Sequence, residues 1–136
     1  MLCDVNFFLD IFLERRPFYA SAATLFSLIE SGKVKGSICS LTFPILFYLL
    51  AKETGTAGAV KVLEKIRIVF SVAAVDERVI DLSLASDFRD LEDAVQYYAA
   101  LESGAICIIS RDKGDYPRAK IRVVTSEEFL ATHTKL

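Results

Sequence analysis

The stretch from Asp87 to Tyr116 reads DFRDLEDAVQYYAALESGAICIISRDKGDY and decides the fold class predicted for the chain. Apolar residues recur at helical spacing over Leu91–Glu102, in a stripe formed by Leu91, Ala94, Val95, Tyr98 and Leu101. Gly104 ends this helix, and Ala105–Ile109 is a continuous apolar run, typical of a parallel strand that is covered on both faces. The stretch therefore predicts an acidic helix start, an amphipathic helix, a buried strand and a second acidic cluster.

The remaining chain predicts the same alternation of strands and helices. Further strands are predicted at Leu2–Val5, Val34–Ser40, Val69–Val75 and Ile121–Val124. Further helices are predicted at Phe7–Glu14, at Phe18–Ser31, from a Ser40 or Thr42 cap to about Lys52, at Ala59–Ile68, from an Asp76 cap to about Ser86, and after a Ser126 cap. Gly55 and Gly58 flank a predicted turn. This rhythm predicts one α/β domain over residues 1–136 with a mainly parallel sheet.

The composition is that of a protein with a packed core. Of the 136 residues 53% are hydrophobic and 25% charged, which excludes a disordered chain. The net charge of −2 argues against a generic basic nucleic-acid binder, although a local basic patch remains compatible with it. The longest apolar run, Phe43–Ala51, is far below the roughly 18 residues of a membrane span, and the N-terminus lacks a signal-peptide pattern. We therefore expect a cytoplasmic protein with no membrane partner.

Cysteine and histidine offer no site. Cys3, Cys39 and Cys107 are odd in number and lack the spacing of metal ligands, so we expect buried thiols in a reducing compartment. His133 is near no cluster of polar residues and is assigned no role.

Acidic residues follow two of the predicted strands. Asp4 lies at the end of the first strand, and Asp112 and Asp115 follow the buried strand of the deciding stretch. Asp90 and Asp93 share a face at the start of the preceding helix. Sites in α/β sheets form beyond the carboxyl ends of the strands, so these acids can meet at one rim. Carboxylates gathered there need a cation, and their hard oxygens suit Mg²⁺ or Mn²⁺, which can activate water for attack on a phosphodiester.

Each acid also has a structural interpretation. Asp90 is a good N-cap, and Glu92 and Asp93 favour a helix N-terminus through the macrodipole. Asp112 and Asp115 can form turns in a solvated loop. Asp4 is the hardest to explain structurally, because a carboxylate in an apolar segment is costly unless it is paired or bound to metal.

The chain turns basic around Asp112. The cations are Arg111, Lys113, Arg118, Lys120 and Arg122. They form either a solvated face or a margin that binds the phosphates of a nucleic acid beside the metal.

Three segments together resemble a PIN domain. They are Asp4-Val5-Asn6, the run LEDAVQYYAAL from Leu91 to Leu101, and IISRDKGDY from Ile108 to Tyr116. The resemblance implies a three-layer α/β/α sandwich around a five-stranded parallel sheet. It also implies an Mg²⁺- or Mn²⁺-dependent nuclease acting on single-stranded RNA. Many small bacterial and archaeal members are VapC-type toxins that pair with an antitoxin protein and form homodimers.

The resemblance also implies roles for individual residues. Asp4, Asp93 and Asp112 match the first, third and fourth metal-binding acids, and Asp115 matches a substitute or helper for the fourth. Asn6 and Ser110 match polar positions that orient the first and last acids. With Arg111 and Lys113 they form the expected substrate-binding set.

One family position departs from the pattern. The resemblance implies a glutamate near Thr42 to Leu46, but the segment SLTFPILFYLL contains no acid. Glu53 lies about 12 Å farther along a helix and is a poor replacement. Either one ligand is missing or Asp90 compensates from the other side.

Three hypotheses follow for the function. The first is a metal-dependent endoribonuclease that uses Asp4, Asp93 and Asp112. The second is a PIN-like module that binds RNA or a protein without catalysis, because one acid is absent. The third, a phosphoacceptor receiver domain, ranks last because the third strand ends at Val75-Asp76 with no acid pair before it.

The apolar segments Phe43–Ala51 and Phe18-Tyr19 provide surface for a dimer, or else are simply buried.

Overall fold

A computed structural model of the chain describes residues 1–112 and 120–133. Its strands are β1 (Leu2–Cys3), β2 (Ser37–Cys39), β3 (Ser71–Ala73), β4 (Cys107–Ile109) and β5 (Arg122–Val124). Its helices are α1 (Val5–Phe12), α2 (Tyr19–Glu30), α3 (Thr42–Val69), α4 (Glu77–Leu84), α5 (Leu91–Glu102) and α6 (Ser126–His133). In these described residues no helix is long and apolar enough to cross a membrane.

The five strands form one parallel sheet in the order β3-β2-β1-β4-β5. The short first strand is therefore central, between β2 and β4. A receiver domain has the order 2-1-3-4-5, so the sheet argues against the third hypothesis. Because the strands are parallel, all their carboxyl ends lie at one edge of the sheet.

Helices cover both faces of the sheet, as the α/β/α prediction requires. Successive strand residues alternate between the two cores: Cys3 and Ile109 pack with α1, α2, α3 and α6, whereas Leu2 and Ile108 pack against α4 and α5. The first core is centred on aromatic rings, with Phe8 and Phe70 centroids 5.0 Å apart. The predicted three-layer sandwich with a five-stranded sheet is confirmed.

Most predicted elements are present, and α5 has the bounds that the sequence predicts. All five strands are shorter than predicted, and β1 ends at Cys3 because Asp4 caps a helix that begins at once with Val5. The turn predicted between Gly55 and Gly58 is confirmed only at Gly55, which has φ 78° and ψ 166°, so α3 consists of two helical segments and Gly58 lies inside the second.

Two predicted helix caps are wrong. Helix α3 begins after Leu41 without a side-chain cap, and the Ser40 hydroxyl instead accepts a hydrogen bond from Val75 N–H. At α6 the cap is Thr125, whose hydroxyl accepts from Glu128 N–H while the Glu128 carboxylate accepts from Thr125 N–H. This reciprocal pair is a capping box.

The predicted apolar stripe of α5 is partly wrong. Leu91 is 53% exposed, whereas Tyr97 is buried in the core between α5 and the sheet. The Tyr97 hydroxyl accepts a hydrogen bond from Lys120 N–H at 2.8 Å, which satisfies its polar end inside the fold. Tyr97 can be buried because its hydroxyl has this hydrogen-bond partner. The helical periodicity of apolar residues did not predict that Tyr97 is a core residue.

A partly buried ion pair, in which only the aspartate is fully buried, ties the end of β4 to α1. Arg111 donates from Nε and Nη2 to the two carboxylate oxygens of Asp10, each at 3.0 Å. The Arg111 Cζ atom also lies 3.8 Å from the centroid of the Phe18 ring. Asp10 is 3% exposed, so its charge depends on this guanidinium. The pair holds the residues that follow β4 next to the helix that follows β1.

We expect Arg111→Met to destabilise the protein by about 3–5 kcal/mol, because it leaves the buried Asp10 charge without a partner. Asp10→Asn should cost less, since the Arg111 side chain is 34% exposed and can be hydrated. The measurement is urea denaturation. Arg78→Met is the matched control, because the Arg78–Glu102 pair is largely exposed and such pairs contribute at most about 1 kcal/mol. Equal losses for Arg111→Met and Arg78→Met would contradict the role of the partly buried pair.

Candidate active site at the carboxyl edge of the sheet

A cleft of about 210 Å³ opens at the carboxyl edge of the sheet. It lies beyond the ends of β1, β2 and β4 and beside the N-terminus of α5, the place where α/β sheets form their sites. Five of the residues lining it are acidic. The lining consists of Asp4, Val5, Asn6, Cys39, Leu41, Thr42, Ile45, Asp90, Glu92, Asp93, Gln96, Ser110 and Asp112.

Asp4 is the buried acid of this cleft, with 7% of its surface exposed. Its backbone N–H donates to Ile109 O at 3.1 Å, and its Oδ1 accepts from Phe7 N–H at 3.0 Å. Burial raises the pKa of the Asp4 carboxyl from 3.8 to about 6, against the opposing hydrogen bonds from Ser110 and Phe7. The more distant charge of Asp10 raises this pKa further and that of Arg111 lowers it. The ionised form of Asp4 is thus destabilised by burial, and a bound cation would stabilise it.

Ser110 connects the first and last acids of the cleft. Its side chain hydrogen-bonds the Asp4 carboxylate, and its Oγ accepts from Asp112 N–H at 3.0 Å. The Ser110 backbone N–H donates to Val124 O at 2.9 Å, which anchors the residue to the next strand. The hydroxyl is buried and in contact with both acidic residues, so it restrains where they lie relative to each other.

The N-terminus of α5 supplies three acids to the cleft. Asp90 caps the helix, its Oδ1 accepting from Asp93 N–H at 3.2 Å, and Glu92 and Asp93 occupy the first turn. Asp90 therefore has the capping role considered for it and also lines the cleft. The positive end of the helix dipole makes this turn a favourable place for negatively charged side chains.

The helix after β2 brings no acid to the cleft. Thr42 and Ile45 of α3 line it, which places the segment where the resemblance implies a glutamate at the cleft wall. Glu53 is exposed and does not line the cleft. The acid that sequence reasoning missed is Glu92, which it treated only as a residue favouring the helix terminus. Its spacing of four residues from Gln96, another lining residue, was an available signal that both lie on one helix face.

The donor set suits a hard divalent cation, but the acids are not gathered tightly. Within residues 1–112 and 120–133, no three Asp, Glu, His or Cys side chains are close enough to hold a metal ion together. Asp115, one of the expected metal ligands, and Lys113, an expected substrate contact, lie outside the described residues. The oxygen chemistry of the lining and the buried Asp4 nevertheless fit Mg²⁺ or Mn²⁺, which retain several waters and need few protein ligands.

The expected substrate-binding residues have different surroundings. Asn6 lines the cleft, and its Oδ1 accepts from Arg15 Nη1 at 3.2 Å. Arg111 is held by Asp10, so two of its guanidinium nitrogens are already bound. Of the predicted basic margin, Arg122 lies at the edge of the sheet opposite Asp112, because it begins β5 in register with Cys107. Lys113 and Arg118 of that margin lie outside the described residues.

The three thiols behave as buried apolar groups. All three are buried, and burial raises the pKa of each. Cys39 lines the cleft, where the charge of Glu92 raises its pKa further. The thiols are therefore held in the neutral form, and nucleophilic chemistry at Cys39 is not supported.

We expect Asp4→Asn to be more stable than the wild type near neutral pH in the absence of metal. A folded-state pKa raised above 3.8 means that the stability contributed by Asp4 is complete below about pH 4 and is lost as pH rises through about 6. The full shift corresponds to about 3 kcal/mol, of which roughly half should be lost between about pH 5 and pH 7.5. Asparagine keeps the cap of α1 but does not titrate.

The measurement is urea denaturation in EDTA at both pH values. The exposed Asp81→Asn in α4 controls for the change in net charge and should retain the wild-type pH dependence. An Asp4→Asn variant whose stability varies with pH as the wild type does would show that burial does not destabilise the ionised form of Asp4.

Comparison with known proteins gives the family. A family model described as the PIN domain matches residues 1–114. Ribonuclease VapC1 of Aquifex aeolicus (strain VF5) is 29% identical over 130 residues, which cover 93% of this chain and 90% of that protein.

Solved structures share the fold. Mycobacterium tuberculosis VapC20, described as a sarcin–ricin loop cleaving toxin, has a TM-score of 0.68 at 17% identity, over 88% of this chain and 95% of that one. A toxin–antitoxin complex from Klebsiella pneumoniae has a TM-score of 0.70 at 20% identity, over 92% of this chain and 96% of that one. At these identities the likeness shows the fold alone. The family match extends over most of the sequence, so the chain belongs to the PIN domain family, alongside VapC-type toxin ribonucleases.

Proposed function

We propose that the protein is a metal-dependent endoribonuclease and the toxin of a toxin–antitoxin pair. The observation that carries the proposal is the buried Asp4 carboxylate, which shares one cleft with Asp90, Glu92, Asp93 and Asp112. The relative named a ribonuclease supports RNA as the substrate. A cleft so rich in acid is unfavourable for a polyanion by itself, so a divalent cation must neutralise it before a phosphodiester can enter.

The residues proposed to hold Mg²⁺ or Mn²⁺ are Asp4, Asp93 and Asp112, assisted by Asp90, Glu92 and Asp115. A bound cation of this kind lowers the pKa of water and stabilises charge on a phosphodiester during hydrolysis. The catalytic residues proposed are the first three, because they come from three different parts of the fold and all line the cleft. Glu92 then takes the place that α3 leaves without an acid.

The neighbouring residues of the chain orient this set. Ser110 and Phe7 N–H fix the Asp4 carboxylate, and Ser110 also positions the backbone of Asp112. We propose that Asn6, Ser110 and Lys113 contact the RNA. Arg111 contributes only through the part of its guanidinium that Asp10 leaves accessible, so its main function is positional.

The proposed nuclease is tested with Asp4→Asn and Asp93→Asn. Both variants should lose at least about 100-fold in the rate of Mg²⁺- or Mn²⁺-dependent cleavage of single-stranded RNA, because the loss of a metal-binding carboxylate removes several kcal/mol of transition-state stabilisation. Glu53→Gln is the matched control, since Glu53 is an exposed acid outside the cleft, and it should cleave at the wild-type rate. Unchanged cleavage by both aspartate variants would refute the site.

The role of Glu92 is tested by metal binding. Glu92→Gln should raise the Kd for Mn²⁺ by about 10-fold. This is the lower end of the loss of affinity seen when residues that support a metal site are replaced. Isothermal titration of Mn²⁺ into the RNA-free protein measures this directly, with Glu53→Gln again as the control. Identical Mn²⁺ affinities in the two glutamine variants would exclude Glu92 from the metal site.

A second function is favoured by one observation. No acid enters the cleft from α3, and the described acids do not form a tight group of three. A PIN-like module that binds RNA or a protein without catalysis would have such a site. Tight RNA binding without turnover at millimolar Mn²⁺, unchanged by Asp4→Asn, would select this alternative.

The proposal includes an antitoxin protein, a homodimer and a cytoplasmic location. Toxin–antitoxin complexes among the proteins of the same fold support the first. Helix α3 supports the second, because Leu46 and Leu50 are buried in the core whereas Tyr48 is 61% exposed on the same apolar segment. The cytoplasmic location is supported by the proposed substrate class, because RNA is abundant in the cytoplasm.

A further inference from the structure

A second cavity adjoins the acidic cleft and has a different chemical character. It measures about 570 Å³, within the range of small-molecule sites, and is formed by the loop before α5, by α5 itself and by the residue at the approach to β5. It is lined by aromatic and cationic side chains where the cleft is lined by acids. The lining is Ser86, Asp87, Phe88, Arg89, Tyr97, Tyr98, Leu101 and Lys120.

Three aromatic rings form one wall of this cavity. Ring centroids are 5.3 Å apart for Phe88 and Tyr97, 5.0 Å for Tyr97 and Tyr98, and 6.1 Å for Phe88 and Tyr98. Tyr97 is buried and fixed by its hydrogen bond to Lys120 N–H, so it forms the base of the cluster. Phe88 and Tyr98 are only partly buried and face the cavity. Partly exposed rings on a fixed base are a surface on which a planar ring can stack.

Two cations flank the aromatic wall. Arg89 and Lys120 are exposed and line the cavity, with Asp87 as the one acid among the lining residues that the structure describes. The ion pairs found in residues 1–112 and 120–133 join Lys65 to Glu30, Arg78 to Glu102 and Arg111 to Asp10. In that part of the chain neither Arg89 nor Lys120 is paired with a carboxylate, so both charges are available to an anion.

The cavity and the cleft are connected through α5. Asp93 lines the cleft and Tyr97 lines the cavity, and residues four apart lie on one helix face about 6 Å from each other along the axis. The chain makes a second connection just before the helix, where Arg89 lines the cavity and Asp90 the cleft. A phosphate at the cleft would therefore have its neighbouring nucleotide at the aromatic wall.

We infer that this cavity is a nucleotide subsite for single-stranded RNA, in which a base stacks on the partly exposed ring of Tyr98 and a flanking phosphate is bound by Arg89 and Lys120. The inference rests on the proposed function, since it assigns the substrate next to the scissile bond. A duplex would not fit it, because the base must leave its stack to reach the rings. Stacking tolerates every base, so the subsite selects unpaired RNA more than a particular sequence.

The stacking contact is tested by RNA binding in Ca²⁺, which neutralises the acidic cleft, and a gel verifies that the RNA remains uncut. Fluorescence anisotropy of a short labelled single-stranded RNA should show about 5- to 100-fold weaker binding by Tyr98→Leu, the effect of losing one stacked base. Tyr98→Phe keeps the ring and should bind as the wild type does. Phe129→Leu is the matched control, because Phe129 is a partly buried aromatic residue of α6 that lines a different cavity. Equal RNA affinity of Tyr98→Leu and Phe129→Leu would overturn the subsite.

The phosphate contact is tested by the salt dependence of the same binding. Lys120→Gln keeps the backbone N–H that Tyr97 accepts from, and it should reduce the slope of log K against log salt by about 0.7 for one lost phosphate contact on a single strand. Arg122→Gln, at the opposite edge of the sheet, should leave the slope unchanged. Equal slopes for the two variants would remove Lys120 from the site.

The outcomes also separate this inference from the proposed function. If RNA binding depends on Tyr98 but Mn²⁺ produces no cleavage, the subsite is supported and the nuclease fails. If Mn²⁺-dependent cleavage is normal in Tyr98→Leu with unchanged KM, the nuclease is supported and the subsite fails. Absence of RNA binding by the wild-type protein would overturn both.

Discussion

The burial of one carboxylate dominates the organisation of this protein. Asp4 follows a two-residue central strand and has almost no access to water, yet its ionised form must be stabilised for any role in binding a cation. The fold supplies Phe7 N–H and the Ser110 side chain, which only partly offset the cost of burial, so the pKa stays near 6. The buried, ionised Asp4 carboxylate therefore lowers the stability of the metal-free fold, which is typical of a residue that binds a charged ligand.

The elements around Asp4 are held together by contacts between distant parts of the sequence. Ser110 connects the end of β4 with both Asp4 and the strand β5. The Asp10–Arg111 pair connects the same loop with α1, over a separation of 101 residues. These two contacts restrict how far Asp112 can move from Asp4. Arg111 lies beside an acidic cleft, but its guanidinium mainly holds the loop in place through Asp10 and is only partly available to a substrate.

Helix α5 gives the edge of the sheet two chemical environments. Its first turn supplies acids to the cleft, and its second turn supplies Tyr97 and Tyr98 to the neighbouring cavity. The loop before it contributes Asp90 to the cleft and Arg89 to the cavity. A cation would reverse the sign of the field at the cleft, so a negatively charged strand could lie across both regions. Single-stranded RNA has the charge and the planar bases that this arrangement complements.

Much of this could be predicted from the sequence, for local reasons. The alternation of apolar segments determines the α/β class, and the bounds of α5 follow from the Asp90 cap and Gly104. An acid after each of two parallel strands predicts a shared rim, so Asp4 and Asp112 were expected together with Asp93 on physical grounds. The missing acid of α3 was also evident, because SLTFPILFYLL has none.

What the sequence did not determine depends on pairing between distant residues. The apolar stripe missed Tyr97, because its burial requires the backbone of Lys120 as a hydrogen-bond partner. Arg111 could not be separated from the other basic residues until Asp10 was found beside it, and Glu92 could not be separated from capping residues until the cleft was seen. The sequence by itself determined which groups are present and their local periodicity. Only the tertiary structure decided which charges are neutralised by one another, because Coulomb and hydrogen-bond energies depend on separation in space and on burial.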